Sequence, residues 1–467
     1  MKQLRNIFFV ITIILTPIIS MSQTDSIYRF SLNQAIDFAY ENNINVTNAE
    51  LEVRKAKWKV WETTAIGLPQ VNGSAEYQNF PEIPTQLMPN FLFPVVVGIN
   101  TSYFGLTPTQ PMPDDGGKIP VQFGSKHNLN WGISVSQLIF SGEYIVGLQA
   151  AKTYKKMSTQ NLTKTRIELK TNVEQAYYLS LIASNSLSIL QKNYENIKKI
   201  TENNQKLAKE GIINQTQADQ IKILELNLKN QISSLERQKK LSIIMLKFQL
   251  GMLPADSLVL TDSLDEIIKT LDLKLLSSDF NINDNIDYQI METQVKLKTL
   301  NLRRTESTTL PQISAYYSYS KKAMLDTFDF FNESTEWFPT SVIGVKLSVP
   351  IFASGMRTAQ IQQNKIDLME TMNQKQMYNE QLNIQYVQSK DDYMNSLDNL
   401  YSQKLNMELS DRIYKNTLIQ YQEGTASSSD LTQAQNQFLQ AESSYYQALM
   451  QALKTKSALE KIIFNAN

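Results

Sequence analysis

Asn43-Ile44, Glu50, Val53, Thr63 and Leu68-Pro69-Gln70 recur without a gap as Asn285-Ile286, Glu292, Val295, Thr305 and Leu310-Pro311-Gln312, a constant offset of 242 residues. Such self-similarity has to be sought before any fold is named. It continues downstream. Ile139-Phe140-Ser141-Gly142 returns as Ile351-Phe352-Ala353-Ser354-Gly355, with one residue added, and Glu210-Gly211 returns as Glu423-Gly424. The spacing from Gly142 to Gly211 equals that from Gly355 to Gly424. A chain of 467 residues would ordinarily suggest about two to three independent domains, but here one unit is written twice.

Each copy opens with a helical stretch, Leu32 to about Ile66 and roughly Asp284 to Thr308. Leu-Pro closes both, because proline cannot continue a helix and restricts the residue before it. The chain then alternates. Val71, Gly73, Ala75 and Tyr77 oppose Gln70, Asn72, Ser74 and Glu76, and Ile313, Ala315, Tyr317 and Tyr319 oppose Gln312, Ser314, Tyr316 and Ser318. Two further strands carry Leu129, Trp131, Ile133 and Val135, and Ile343, Val345, Leu347 and Val349, on their apolar sides. A loop of roughly 45 residues joins the first pair; eight prolines from Pro81 to Pro120 predict an extended loop rather than strands. The second loop, about Ala323 to Pro339, is shorter. From Gly142 to Gly211 there is no proline, and Leu169, Val173, Ala176, Ser180, Ala183, Leu187, Leu190, Tyr194 and Ile197 form a heptad-like seam. If helical throughout, that stretch would extend about 100 Å. Gly211 and Gly424 then read as helix stops, with Asp219 and Asp430 near the starts of returning helices.

Composition excludes much chemistry. The chain has no cysteine and one histidine, His127, so thiol catalysis, disulfides and thiolate metal sites are impossible. There is no phosphate-binding glycine loop and no nucleophile-base arrangement. No enzyme activity, cofactor or metal is therefore expected, and His127 reads as a surface polar residue. Charged residues make up 19% and the net charge is zero, which gives no attraction for nucleic acid. Residues 1–22 carry Lys2 and Arg5, then an apolar run from Ile7 to Ile19, then small residues: the pattern of a secretory signal peptide. The expected division is a signal peptide over 1–22 and a first repeat over 23–250, with its strand pair in 70–140 and helical hairpin in 143–250. A linking segment over 251–283 precedes a second repeat over 284–467, with strand pair 312–352 and hairpin 355–464.

Four amphipathic strands cannot close a membrane barrel alone, since open edges are forbidden in lipid. A cyclic trimer would supply twelve. At this point the residues resemble the TolC-like outer membrane efflux channels. The duplicated order of helix, Leu-Pro-Gln, strand, loop, strand, Phe-x-Gly, long helix and glycine hairpin carries the resemblance from Phe30 to Phe464. So do Ser31-Leu32-Asn33-Gln34-Ala35-Ile36, Glu174-Gln175-Ala176-Tyr177-Tyr178 and Tyr421-Gln422-Glu423-Gly424. The resemblance implies a mainly helical fold joined to a β-barrel: a homotrimer whose strands cross the outer membrane of a Gram-negative bacterium and whose coiled-coil helices form a periplasmic tunnel. Residues around Met252 to Asp284 and the C-terminus would belt that tunnel.

The implied partners are a periplasmic adaptor, an inner-membrane pump and outer membrane lipid. The implied function is the passive exit duct of a tripartite efflux system for small molecules. Type I protein secretion through the same architecture, and a periplasmic coiled-coil scaffold without a pore, remain the alternatives. Leu129, Trp131, Ile133, Val135, Ile343, Val345 and Leu347 are the expected lipid-facing residues. The gate is expected at the hairpin ends, around Gly211, Asp219, Tyr421, Gly424 and Asp430. By resemblance Tyr421 matches the family's gating tyrosine and Asp430 its first aspartate, whereas Ala426 stands at the arginine position, Gln433 at the second aspartate and Gln217 at the aspartate of the first hairpin. Three Asp430 side chains around an axis would form an anionic ring favouring cations; equally, Asp430 could simply cap its helix. Phe80, Phe123, Tyr77 and Tyr319 are either interface aromatics or ordinary packing.

Overall fold

A computed structural model describes residues 27–89, 92–105, 118–271, 273–278 and 280–463. The segment read as a signal peptide lies outside them. In chain order the elements are β1 (Ile27–Phe30), α1 (Leu32–Asn42), α2 (Ile44–Ala65), β2 (Gln70–Asn79), β3 (Thr85–Pro89), α3 (Leu92–Phe104), β4 (Lys118–Gln122), β5 (His127–Phe140), α4 (Gly142–Lys209) and α5 (Gln215–Leu250). There follow β6 (Ser257–Leu260), α6 (Leu264–Ile268), 3-10 turns at Leu273–Ser277 and Ile282–Asp284, α7 (Ile286–Ser307), β7 (Gln312–Leu325), β8 (Phe338–Ser348), α8 (Met356–Gln422) and α9 (Ser428–Ile463). Two compact units result, one from Val53–Ser158 and Met291–Lys375, the other from the remainder.

The first unit holds an antiparallel sheet in the order β2-β5-β7-β8. Its register aligns every apolar set on one face. Val135 pairs with Val71 and Tyr317, Ile133 with Gly73 and Tyr319, and Tyr317 in turn pairs with Ile343. A one-residue slip anywhere would send one strand's apolar set to the polar side, so patterning fixes the register. Gly132 and Gly344 sit on the polar face. A side chain at Gly344 would meet the Tyr316 ring that lies over it from the paired strand. The extra residue of the second copy also has a structural reading: Ser354 and Gly355 both take positive φ, 48° and 82°, in the turn leading to α8.

The long first loop departs from expectation. It contains β3 paired antiparallel with β4, and α3 between prolines at positions 89 and 108. Proline does not break these strands. Pro89 pairs with Lys118 at the end of the ladder and Pro120 opposite Leu87, in a two-stranded ribbon where each strand is an edge and a missing N–H is tolerated.

In the helical unit the repeated asparagines explain themselves. Asn43 Oδ1 accepts from the Asn45 amide at 2.8 Å while its Nδ2 donates to the Gln249 carbonyl at the end of α5, also 2.8 Å. Asn285 caps α7 through the Asp287 amide at 3.0 Å and donates to the Ile462 carbonyl at the end of α9 at 3.3 Å. Each buried amide thus satisfies both a helix start and a helix end. The break at Asn43 divides what the sequence presents as one helix into α1 and α2. A second unforeseen feature is the parallel pairing of β1 with β6. Fully buried Tyr177 secures it, its hydroxyl meeting the Phe30 carbonyl at 3.1 Å and Asp262 Oδ2 at 3.0 Å, while the Leu32 amide donates to the same carboxylate at 2.7 Å. The helical core continues through α4, α5, α8 and α9, where Ile197, Ile221, Tyr414, Leu431 and Phe438 pack together.

Candidate functional site

Both hairpin ends are built on the same device. Gly211 and Gly424 adopt φ of 73° and 77°. The Ile212 amide returns to the Leu207 carbonyl and the Thr425 amide to the Gln420 carbonyl, each at 2.9 Å, which closes the last turn of α4 and of α8. The returning helices begin earlier than expected. Asn214 rather than Asp219 caps α5, accepting from the Thr216 amide at 3.0 Å. Exposed Asp219 accepts instead from the Gln215 side chain at 2.8 Å. Asp430 lies three residues past Ser427 and the two exchange hydrogen bonds: the Ser427 amide and hydroxyl donate to Asp430 Oδ2 at 3.0 and 2.7 Å, and the Asp430 amide donates to Ser427 Oγ at 3.2 Å. These bonds hold the fully exposed Asp430 carboxyl below its ordinary range, so it stays ionised.

Within the chain, neutral polar links join the two hairpins. Half-buried Tyr421 on α8 accepts from Asn204 Nδ2 on α4 at 2.6 Å, and burial raises its hydroxyl pKa. Ser428 on α9 donates to Gln220 on α5. Asn204 and Gln220 escaped the sequence reading. The available signal was a polar residue on a seam, since Ile197, Ile200, Thr201 and Asn204 share one buried face of α4.

In the sheet unit, Ile343, Val345 and Leu347 on β8 are 84%, 72% and 62% exposed. Trp131 and Ile133 are exposed as well, while Leu129 and Val135 are half-buried. The seven residues share one face of the sheet by register. His127 is not a lone surface group. Its Nδ1 lies 2.8 Å from the Tyr77 hydroxyl, and Tyr77, Phe328 and Phe330 make edge contacts beside it at one end of the sheet. Tyr77 makes these ring contacts while remaining 45% exposed. Phe123 is exposed. Among the described residues no helix is long and apolar enough to cross a membrane.

Solved structures similar in fold include the transmembrane channel CusC, the outer membrane protein VceC and the outer membrane channel CmeC. CusC aligns with a TM-score of 0.69 at 15% identity over 93% of this chain and 92% of its own. VceC of Vibrio cholerae gives 0.66 at 13% identity, covering 93% and 96%, and the Campylobacter jejuni CmeC channel gives 0.66 at 16%, covering 92% and 85%. No curated protein matches the sequence significantly. The sequence profile of outer membrane efflux proteins matches residues 121–252 and 284–463, more than half of the chain. On that match, and with the fold agreeing, the chain belongs to the outer membrane efflux protein family.

Proposed function

We propose that three copies of the chain close a twelve-stranded barrel in the outer membrane of a Gram-negative cell, with the helical hairpins forming a periplasmic tunnel. The whole acts as the passive exit duct of a tripartite efflux system for small molecules, engaged by a periplasmic adaptor and an inner-membrane pump. One observation carries this reading: a sheet of four strands in alternating direction, with β2 and β8 as open edges and a single apolar face. Open edges cannot rest in hydrocarbon, so the strands need partners. Because four is even, β8 of one copy meets β2 of the next antiparallel, and copies join without interrupting the hydrogen-bond ladder. Twelve strands fall within the bacterial range. The number three follows the family architecture that the sequence resembles.

In this reading the repeats 23–250 and 284–467 each contribute two strands and one hairpin, and segment 251–283 belongs to the belt. Leu129, Trp131, Ile133, Val135, Ile343, Val345 and Leu347 face lipid. The hairpin ends form the gate, with Asp430 free to serve both as a cap and as one of three ring carboxylates. Ala426 removes the cation of a salt-bridge lock, so the Asn204–Tyr421 and Gln220–Ser428 bonds are the links that hold each subunit's hairpins together there. Detergent-extracted protein should run as a heat-modifiable trimer and conduct ions in planar bilayers. A monomer without conductance would overturn the proposal.

A further inference from the structure

One heptad position of α9 reads Ser428, Gln435, Glu442 and Leu449, all buried. Ser428 finds Gln220, and Leu449 needs no partner. Glu442 is 4% exposed, its Oε1 has no hydrogen-bond partner, and it lines an open-sided cavity of about 530 Å³. Leu179, Ile182 and Ala183 of α4, Leu235 of α5, and Leu439 and Tyr446 of α9 form the apolar part of its lining, and Ser186, Gln231, Gln238 and Gln447 are among its uncharged polar residues. That volume lies within the range of small-molecule sites.

Among the described residues no cation pairs with this carboxylate. The residues that α4 and α5 bring to the cavity are uncharged. The lining cation is Lys454, twelve residues further along α9 and so about 18 Å away along the helix axis. From α8 comes Asp411, a like charge whose own counter-ion is Lys415 at 2.6 Å. On α9 itself the titratable neighbours are Tyr445 and Tyr446, and the Tyr446 hydroxyl is engaged by Asn185 at 2.9 Å. A buried ionised carboxylate left unpaired is costly, and an incoming cation with an apolar body would relieve that cost while burying part of its own surface on the apolar side chains.

We propose that this cavity binds lipophilic monocations, a quaternary ammonium or phosphonium on an apolar body, with Glu442 as the counter-ion and the Tyr446 ring available to the charge. The site goes beyond the duct reading and stands whether or not the protein conducts. It also has a built-in pH dependence. Burial first, and Asp411 second, push the Glu442 carboxyl up to about 7. The charged form that attracts the cation is present above that value and lost below it.

The test is calorimetric titration of the purified full chain in non-ionic detergent with tetraphenylphosphonium and, separately, with its anionic counterpart of the same shape, tetraphenylborate. The wild type should bind the cation and reject the anion, and its affinity should fall about tenfold from pH 8 to pH 6, as the ionised fraction does. Glu442→Gln should bind at least tenfold more weakly at pH 8 and lose the pH dependence. Ser443→Trp, at the exposed rim, should block the cavity with the carboxylate retained. Unchanged circular dichroism and oligomeric state certify both variants. Equal affinity in Glu442→Gln, equal binding of tetraphenylborate, or no binding by the wild type would overturn the site. Bilayer conductance of the same preparations reports on the duct separately: a wild type that conducts but does not bind the cation contradicts this site alone, and a wild type that binds the cation but does not conduct contradicts the duct alone.

Discussion

Asn43 and Asn285 each serve two helix ends with one side chain, and the two act at equivalent places in the repeats. Replacing either with Ala leaves a start uncapped and a buried carbonyl unpaired, so each variant should lose about 1–2 kcal/mol of stability in chemical denaturation. A loss under about 0.3 kcal/mol in both would remove that role. Glu442 supplies a second residue-scale prediction, with a definite sign. Its folded pKa, about 7, lies above the ordinary 4.5, so folding favours the proton and stability falls as pH rises from about 4.5 through 7. Glu442→Gln should therefore be more stable than the wild type at pH 8, by about 1–3 kcal/mol, with the difference gone near pH 4. Asp430→Asn should reduce cation preference in bilayer recordings if three carboxylates ring the pore, whereas unchanged selectivity would leave Asp430 a helix cap only. At this scale the sequence revealed that Asn43, Asn285 and Tyr421 matter, because repetition or resemblance marked them. It was silent on what they touch, since Gln249, Ile462 and Asn204 lie roughly 180–220 residues away in the chain.

Elements with a strong period or a strong stop were legible. The four sheet strands followed from alternation, and the hairpins from proline-free seams ended by Gly211 and Gly424. The buried face of α4 is wider than its heptad seam. Tyr177, Tyr178, Leu181 and Ile182 are buried beside it, because the helix packs on more than one neighbour there. The β1–β6 pair was not legible: each strand has four residues, too few to show a period, and its partner lies about 230 positions away. Prolines hid β3 and β4 because a ribbon of edges tolerates them. Two measurements belong to this scale. Gly424→Val forces a β-branched residue into positive φ and should cost about 1–2 kcal/mol in thermal or denaturant unfolding, although nothing crowds the site. Val345→Arg, in the middle of the exposed apolar row on β8, should cost about 2–4 kcal/mol near a bilayer midplane and reduce trimer yield. Normal yield would show that this face does not meet lipid.

For the whole molecule, duplication explains why a single chain carries an even, direction-alternating set of strands with two matching helical hairpins: each repeat supplies one antiparallel strand pair and one hairpin. An even set leaves edges that complement one another, and the absence of cysteine makes that complementarity directly testable. Within one chain β2 and β8 are separated by two strands, about 14 Å in all, beyond disulfide reach. Ser74→Cys on β2 should therefore be combined in turn with Thr340→Cys, Val342→Cys, Gly344→Cys and Lys346→Cys on β8, and the membranes oxidised. One register should yield a ladder ending at a covalent trimer that reduction collapses to monomer. Monomer alone at every register, from protein shown to be folded, would contradict a barrel closed between copies.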